Sequence, residues 1–107
     1  MSSKRDKYLR KNYGIGVKEY SYLFTQQNRV CAICQHPPKK RHLCVDHRHV
    51  KGYKKLAENK KALEIRGLLC FRCNKFLVGA LESNKNPRLV FLNLFNYFCK
   101  YKLKNDL

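Results

Sequence analysis

The sequence is short of acid. Seven Asp and Glu stand against 24 Lys and Arg in 107 residues, a formal net charge of +17, and so unbalanced a chain is expected to meet a polyanion. No apolar stretch approaches the roughly 20 residues of a membrane span, and Met1 to Arg10 contains no apolar signal core. The expectation is a cytoplasmic protein without a membrane partner. Repeats, low-complexity tracts and flexible linkers are also missing, so residues 1–107 read as one domain. At 44% hydrophobic and 12% aromatic the chain is no disordered basic tail, yet it can build only a small core and needs something besides burial to hold it.

Cysteine is what the chain has in excess, with six. Without a secretion signal, metal binding is a stronger reading than a disulfide scaffold. Cys31-Ala32-Ile33-Cys34 and Cys70-Phe71-Arg72-Cys73 are two knuckles, each able to aim two thiolates of one tight turn at a tetrahedral ion. Four sulfurs leave no open position for water, so the expected zinc is structural. Its binding would supply much of the folding free energy, on the order of 10 kcal/mol in simple zinc peptides. Cys44 and Cys99 read as small buried hydrophobes, and His36 and His42 as spare ligands.

Local patterns place these motifs in an α+β fold. Ser3 and Asp6 resemble a capping box opening a helix through Tyr8, Leu9 and Tyr13 that stops at Gly14. Val17, Tyr20, Leu23, Phe24 and Gln27 share one face of a second helix, from about Val17 to Asn28. Leu43-Cys44-Val45 reads as a strand delivering Asp46-His47-Arg48-His49 at its end, and Ile65 to Leu69 as the return strand after a long basic loop. A helix from Cys70 should close near Gly79. Another should start at Asn86-Pro87, run to Lys104 and bury most of its circumference.

Asp46, His47 and His49 put one carboxylate and two imidazoles at a strand end, and Asn74 follows the second knuckle, where zinc would tie it to the hairpin. On composition alone the histidines read equally well as surface groups of a nucleic-acid-binding loop. Lys39, Lys40, Arg41, Arg48, Lys51, Lys54, Lys55, Lys60, Lys61, Arg66 and Arg72 would surround that strand end and contact DNA phosphates, without reading sequence and with steep salt dependence. Tyr53 is expected to pack on its own hairpin in preference to stacking on a base. No helix shows the mixture of Arg, Asn and Gln that reads base edges, which sets a transcription factor aside.

In order and content, Tyr13-Gly14-Ile15, Tyr20, Gln27, Cys31-Ala32-Ile33-Cys34, Val45-Asp46-His47-x-His49 and Arg66-Gly67-Leu68-Leu69-Cys70-x-Arg72-Cys73-Asn74 resemble the recombination endonuclease VII family. That is a phage-type branch of the His-Me finger (HNH-like) nucleases, and the resemblance runs from about Tyr13 to Leu81. It implies N-terminal helices over 1–29, a zinc-clamped ββα-metal core over 30–80 and a C-terminal helix over 86–104. It also implies that His47 is a general base, that Asp46 and Asn74 hold a catalytic Mg²⁺ or Mn²⁺, and that His49 supports the centre. One metal suffices, since a two-metal site needs several converging carboxylates and Asp46 is the only acid between Glu19 and Glu58. If phage-encoded, the protein would work in the host cytoplasm.

The chain departs from the family at Gly16, where a helix-capping Thr is common, and in its long basic loop from Lys51 to Glu64. Leu89, Phe91, Leu92, Phe95, Phe98 and Tyr101 exceed what one helix on a small monomer usually shows. They fit either a homodimer interface, as in the family, or a cover over the zinc core. The reading that results is a Mg²⁺-dependent DNA endonuclease acting on branched or junction DNA; the alternative is a noncatalytic zinc-binding, nucleic-acid-binding module.

Overall fold

The computed structural model describes residues 3–100. Its elements are α1 (Lys4–Tyr13), α2 (Val17–Gln26), β1 (Cys44–His47), a 3₁₀ turn (Tyr53–Lys55), α3 (Glu58–Ala62), β2 (Ile65–Leu69), a π-helical segment (Cys73–Val78) running into α4 (Gly79–Glu82), and α5 (Pro87–Lys100). The two strands form an antiparallel hairpin. With the helices and the cysteine pairs, this is the expected small α+β fold.

The Ser3 hydroxyl accepts the Asp6 N–H at 3.0 Å and starts α1. Asp6 also reaches beyond the expected capping box. One of its oxygens accepts from Arg10 Nε at 2.9 Å and the other from the Val17 N–H at 2.8 Å, so a carboxylate of α1 caps α2. Glu19 adds a second cap by accepting the Gly16 N–H at 2.9 Å. A Cβ at Gly16 would lie 2.5 Å from Arg10 Nη2 and 2.6 Å from Asp6 Oδ1. A side chain at Gly16 would have to displace these two side-chain ends, and the helix start that a Thr would supply comes here from Asp6 and Glu19. Gly14 ends α1 with φ 76°, and a Cβ there would meet the Glu58 carbonyl oxygen at 1.9 Å. Only glycine permits both that conformation and that approach to α3.

The core is small: Leu9, Ile15, Tyr20, Leu43, Val45, Leu68 and Leu69, with Cys31 and Cys73 from the cysteine cluster. Tyr20 anchors α2 by donating its hydroxyl to the Leu43 carbonyl. Gln27, just past α2, acts on the hairpin like a piece of a third strand. Its Oε1 accepts the Leu68 N–H at 2.8 Å and its Nε2 donates to the Leu68 carbonyl at 2.9 Å. Helix α2 itself stops at Gln26, short of the expected Asn28, since Asn28 and Arg29 turn to positive φ.

Three expectations are corrected. The stretch between the strands is not all loop: α3 packs on α1, and Lys61 is only 8% exposed, with its Nζ donating to the Lys11 carbonyl at 2.7 Å. Gly79 does not close the helix that begins after Cys70. Its N–H reaches back to the Asn74 carbonyl, the five-residue spacing of a π-helix, and with φ −59° and ψ −42° it carries the chain on to Glu82. Finally, α5 buries none of its residues. It begins as the sequence predicts, with Asn86 Oδ1 accepting the Leu89 N–H at 3.2 Å, but it packs chiefly on α4, and the molecule extends over 54 × 31 × 20 Å. Cys99 on it is exposed, not the buried hydrophobe expected; Tyr101 and the tract to Lys104 lie outside the described residues.

Candidate active site and metal centre

The cysteine cluster sits where the knuckle after α2 meets the far end of β2. The Ala32 N–H donates to the Leu68 carbonyl at 3.2 Å and fastens the first knuckle to the strand. Backbone N–H groups also reach the sulfurs, from Ile33 to Cys31 at 3.5 Å and from Cys73 to Cys70 at 3.4 Å. All four Sγ atoms lie within 4.8 Å of one another, and those of Cys34 and Cys70 are 3.8 Å apart. Tetrahedral zinc with bonds of about 2.3 Å sets its sulfurs about 3.8 Å from each other, so the quartet fits the ion.

The thiols oppose one another's ionisation. Burial pushes Cys31 up, but the N–H groups around its sulfur outweigh that and bring it down to about 6. Burial, then the neighbouring Cys70, Cys31 and Cys34, drives Cys73 up to about 12. A divalent cation is what lets all four carry charge together. His36 and His42 take no part: among the described residues the metal-ligating cluster is Cys31, Cys34, Cys70 and Cys73 alone.

The second cluster forms at the other end of the hairpin. Strict alternation would send Asp46 and His47 to opposite faces, but the register slips between them: Asp46 faces Gly67, His47 faces Ile65, and Arg66 is the unpaired residue of a bulge. Asp46 is buried, 7% exposed, and Arg66 grips both its oxygens, Nε to Oδ2 at 2.8 Å and Nη2 to Oδ1 at 2.9 Å. The same guanidinium holds Glu82 through Nη1 at 3.1 Å and Nη2 at 3.0 Å. That grip outweighs burial, which pushes the other way, and holds Glu82 below the usual carboxylate range. His49 Nε2 lies 3.9 Å from Glu82 and its ring 5.1 Å from that of His47, which closes a chain of contacts from Asp46 to His47.

His47 is half-buried among rings: Tyr13 at 5.8 Å and Tyr53 stacked at 4.0 Å, with planes 7° apart. Its Nδ1 lies 3.0 Å from the Arg48 carbonyl, which can only accept. That contact calls for a proton on Nδ1, and in the neutral ring the lone pair is then on Nε2. An open cleft of about 690 Å³ beside it is lined by His47, His49, Lys51, Lys54 and Lys55 together with Asn12 and Tyr13. Of the other expected basic contacts, Lys39, Lys40 and Arg72 are exposed, Arg41 lies over the Phe71 ring at 4.7 Å, and Arg48 pairs with Glu64 at 2.8 Å. Asn74 is half-buried on the π-helical segment. Glu82 escaped the sequence reading, because nothing local in Gly79–Glu82 signals that a π-helical turn redirects it to Arg66.

A hairpin with four clustered thiols at one end and a carboxylate and imidazoles at the other makes a small α+β domain with a candidate zinc site. The sequence profile of recombination endonuclease VII matches residues 6–99, and the chain belongs to that family. The Gene 59 protein of Mycobacterium phage D29 is 38% identical over 68 residues, covering 63% of this chain and 34% of that protein. The Gene 59 protein of Mycobacterium phage L5 is 40% identical over 68 residues, covering 63% and 35%. The chain thus spans about a third of the length of these curated relatives. No solved structure matches it. No helix among the described residues is long and apolar enough to cross a membrane.

Proposed function

We propose that the chain is a DNA endonuclease that hydrolyses phosphodiester bonds with His47 as general base. What carries the reading is His47 itself: its Nδ1–H is committed to a backbone carbonyl, so Nε2 is free to take a proton from water in front of a cleft lined with lysines. The lysines and Arg48 hold phosphates, and His49 orders the centre through Glu82. Asp46 and Asn74 offer hard oxygen donors that suit Mg²⁺ or Mn²⁺, as the sulfur cage suits zinc. When bound there, the ion would neutralise charge on the phosphate and on the leaving 3′ oxygen. Arg66 bonds both oxygens of Asp46 and also holds Glu82, so Asp46 would hold the ion only in exchange for part of that grip.

The test is incubation with supercoiled plasmid and with a synthetic four-way junction, in Mg²⁺ or in EDTA, beside His47→Ala checked for retained zinc. Cleavage by the wild type only, and only with Mg²⁺, is the expected result; the loss in His47→Ala should reach about 10²- to 10⁴-fold. Comparison of the two substrates reads branch preference. DNA shifted but uncut by both proteins would make the chain a zinc-dependent binding module.

We propose further that a second copy covers α5. Phe91, Leu92, Leu94, Phe95 and Phe98 are all exposed on it, and so large an apolar surface in a chain of net charge +17 marks an interface. Glutamate at both Phe95 and Phe98 should yield a folded monomer by light scattering. An unfolded product would mean that α5 covers its own core.

A further inference from the structure

The stretch between the strands is long and basic, yet part of it is built into the site. Tyr53 lies flat against His47, ring centroids 4.0 Å apart and planes 7° from parallel. Its hydroxyl donates to the Asn12 carbonyl at 2.7 Å, and burial raises the phenol above its ordinary value, so that donor keeps its proton. Lys61 stands 5.6 Å from the Tyr53 ring and donates to the neighbouring Lys11 carbonyl at 2.7 Å. Both anchors are backbone carbonyls of the last turn of α1, which lack partners within the helix and attract cations and donors. Helix α1 is fixed in its turn to α3, where Gly14 admits the Glu58 carbonyl. The ring facing His47 is therefore braced from outside the hairpin.

We propose that Tyr53 is a positioning residue that clamps the His47 ring by its face, fixing the ring's orientation and its Nδ1–H tautomer. The inference rests on the reading of His47 as base. An unclamped imidazole turns about χ2, which is broad for histidine, and then trades its bond to the Arg48 carbonyl for water. Tyr53, which itself lines the cleft, prevents this from the face of the ring. It also turns the loop into a device: a chain that carries its phosphate-facing lysines on this segment seats its base only when the segment is docked on α1.

The experiment is nuclear magnetic resonance of the zinc-loaded full chain, with kinetics alongside. In the wild type, ring protons of Tyr53 and His47 should show a mutual Overhauser effect, and the ¹⁵N shifts of His47 a single Nδ1–H tautomer. Tyr53→Leu should average the two tautomers and lower kcat by about 10- to 100-fold, as ring misplacement does, with duplex affinity in EDTA unchanged. Tyr53→Phe keeps the stacked face and should restore both the tautomer and kcat to within about threefold. A Tyr53→Leu protein with an unchanged tautomer and rate overturns the proposal, and so does a Tyr53→Phe protein as damaged as Tyr53→Leu. Should Tyr53→Leu lose its zinc, the wild-type spectra decide: absence of the Overhauser contact or of the single tautomer is fatal. Activity in His47→Ala would instead defeat the base reading, while the spectra still report whether the clamp exists.

Discussion

The two ends of one short hairpin do opposite jobs. Where Cys44 faces Leu69, the chain gathers four soft sulfurs that fit a closed tetrahedral ion. Where Asp46 faces Gly67 and His47 faces Ile65, it gathers oxygens and imidazole nitrogens around a guanidinium, open to a cleft. The first end fits an ion that would leave no vacant position; the second leaves imidazoles open to a cleft. A chain with too little core to hold itself can thus keep a reactive end, because the rigidity comes from the other.

The comparison breaks most completely at the sulfur end. Cys70→Ser should release zinc and unfold the chain, a loss on the order of 10 kcal/mol by the measure of simple zinc peptides, read by a colorimetric zinc assay with circular dichroism. Between the ends, Gln27→Ala should cost about 1–3 kcal/mol in denaturant melts, since the backbone of fully buried Leu68 loses its partner from α2. The reactive end should give the smallest effect. Glu82 is held below its ordinary value of 4.5 chiefly by its hydrogen bonds to Arg66. Its pairing therefore adds stability above about pH 4.5 that is lost as the pH falls through the lower folded value. Glu82→Gln should flatten that acid limb of a stability-pH curve and leave the curve above pH 6 parallel to the wild type.

What the sequence made legible were features set by neighbours in the chain. Gly14 as a left-handed stop, the face shared by Val17, Tyr20 and Gln27, the two strands, the knuckles and the Asn86-Pro87 helix start all depend on contacts a few residues away, and all appear in the structure. What it hid were partners brought in from afar. Asp6 reads as half of a local capping box but serves Val17; Lys61 reads as a phosphate contact but binds the end of α1. The bulge at Arg66 and the π-helical turn before Gly79 each insert one residue into a regular pattern. Neither leaves a periodic trace, and together they decide which groups surround Asp46. The apolar residues of α5 were visible, but hydrophobicity does not say on which molecule a face will be buried.

That last helix carries a consequence for how the protein exists at all. With most of α5 exposed and none of its residues buried, the free energy of the isolated chain includes a hydration cost that its own fold does not remove. Anything that covers the helix then acts as a ligand of the native state and raises its apparent stability by mass action. Where the cover is a second copy, as proposed above, the midpoint of a melt should become a function of protein concentration, and a dilute sample should report a different molecule from a concentrated one.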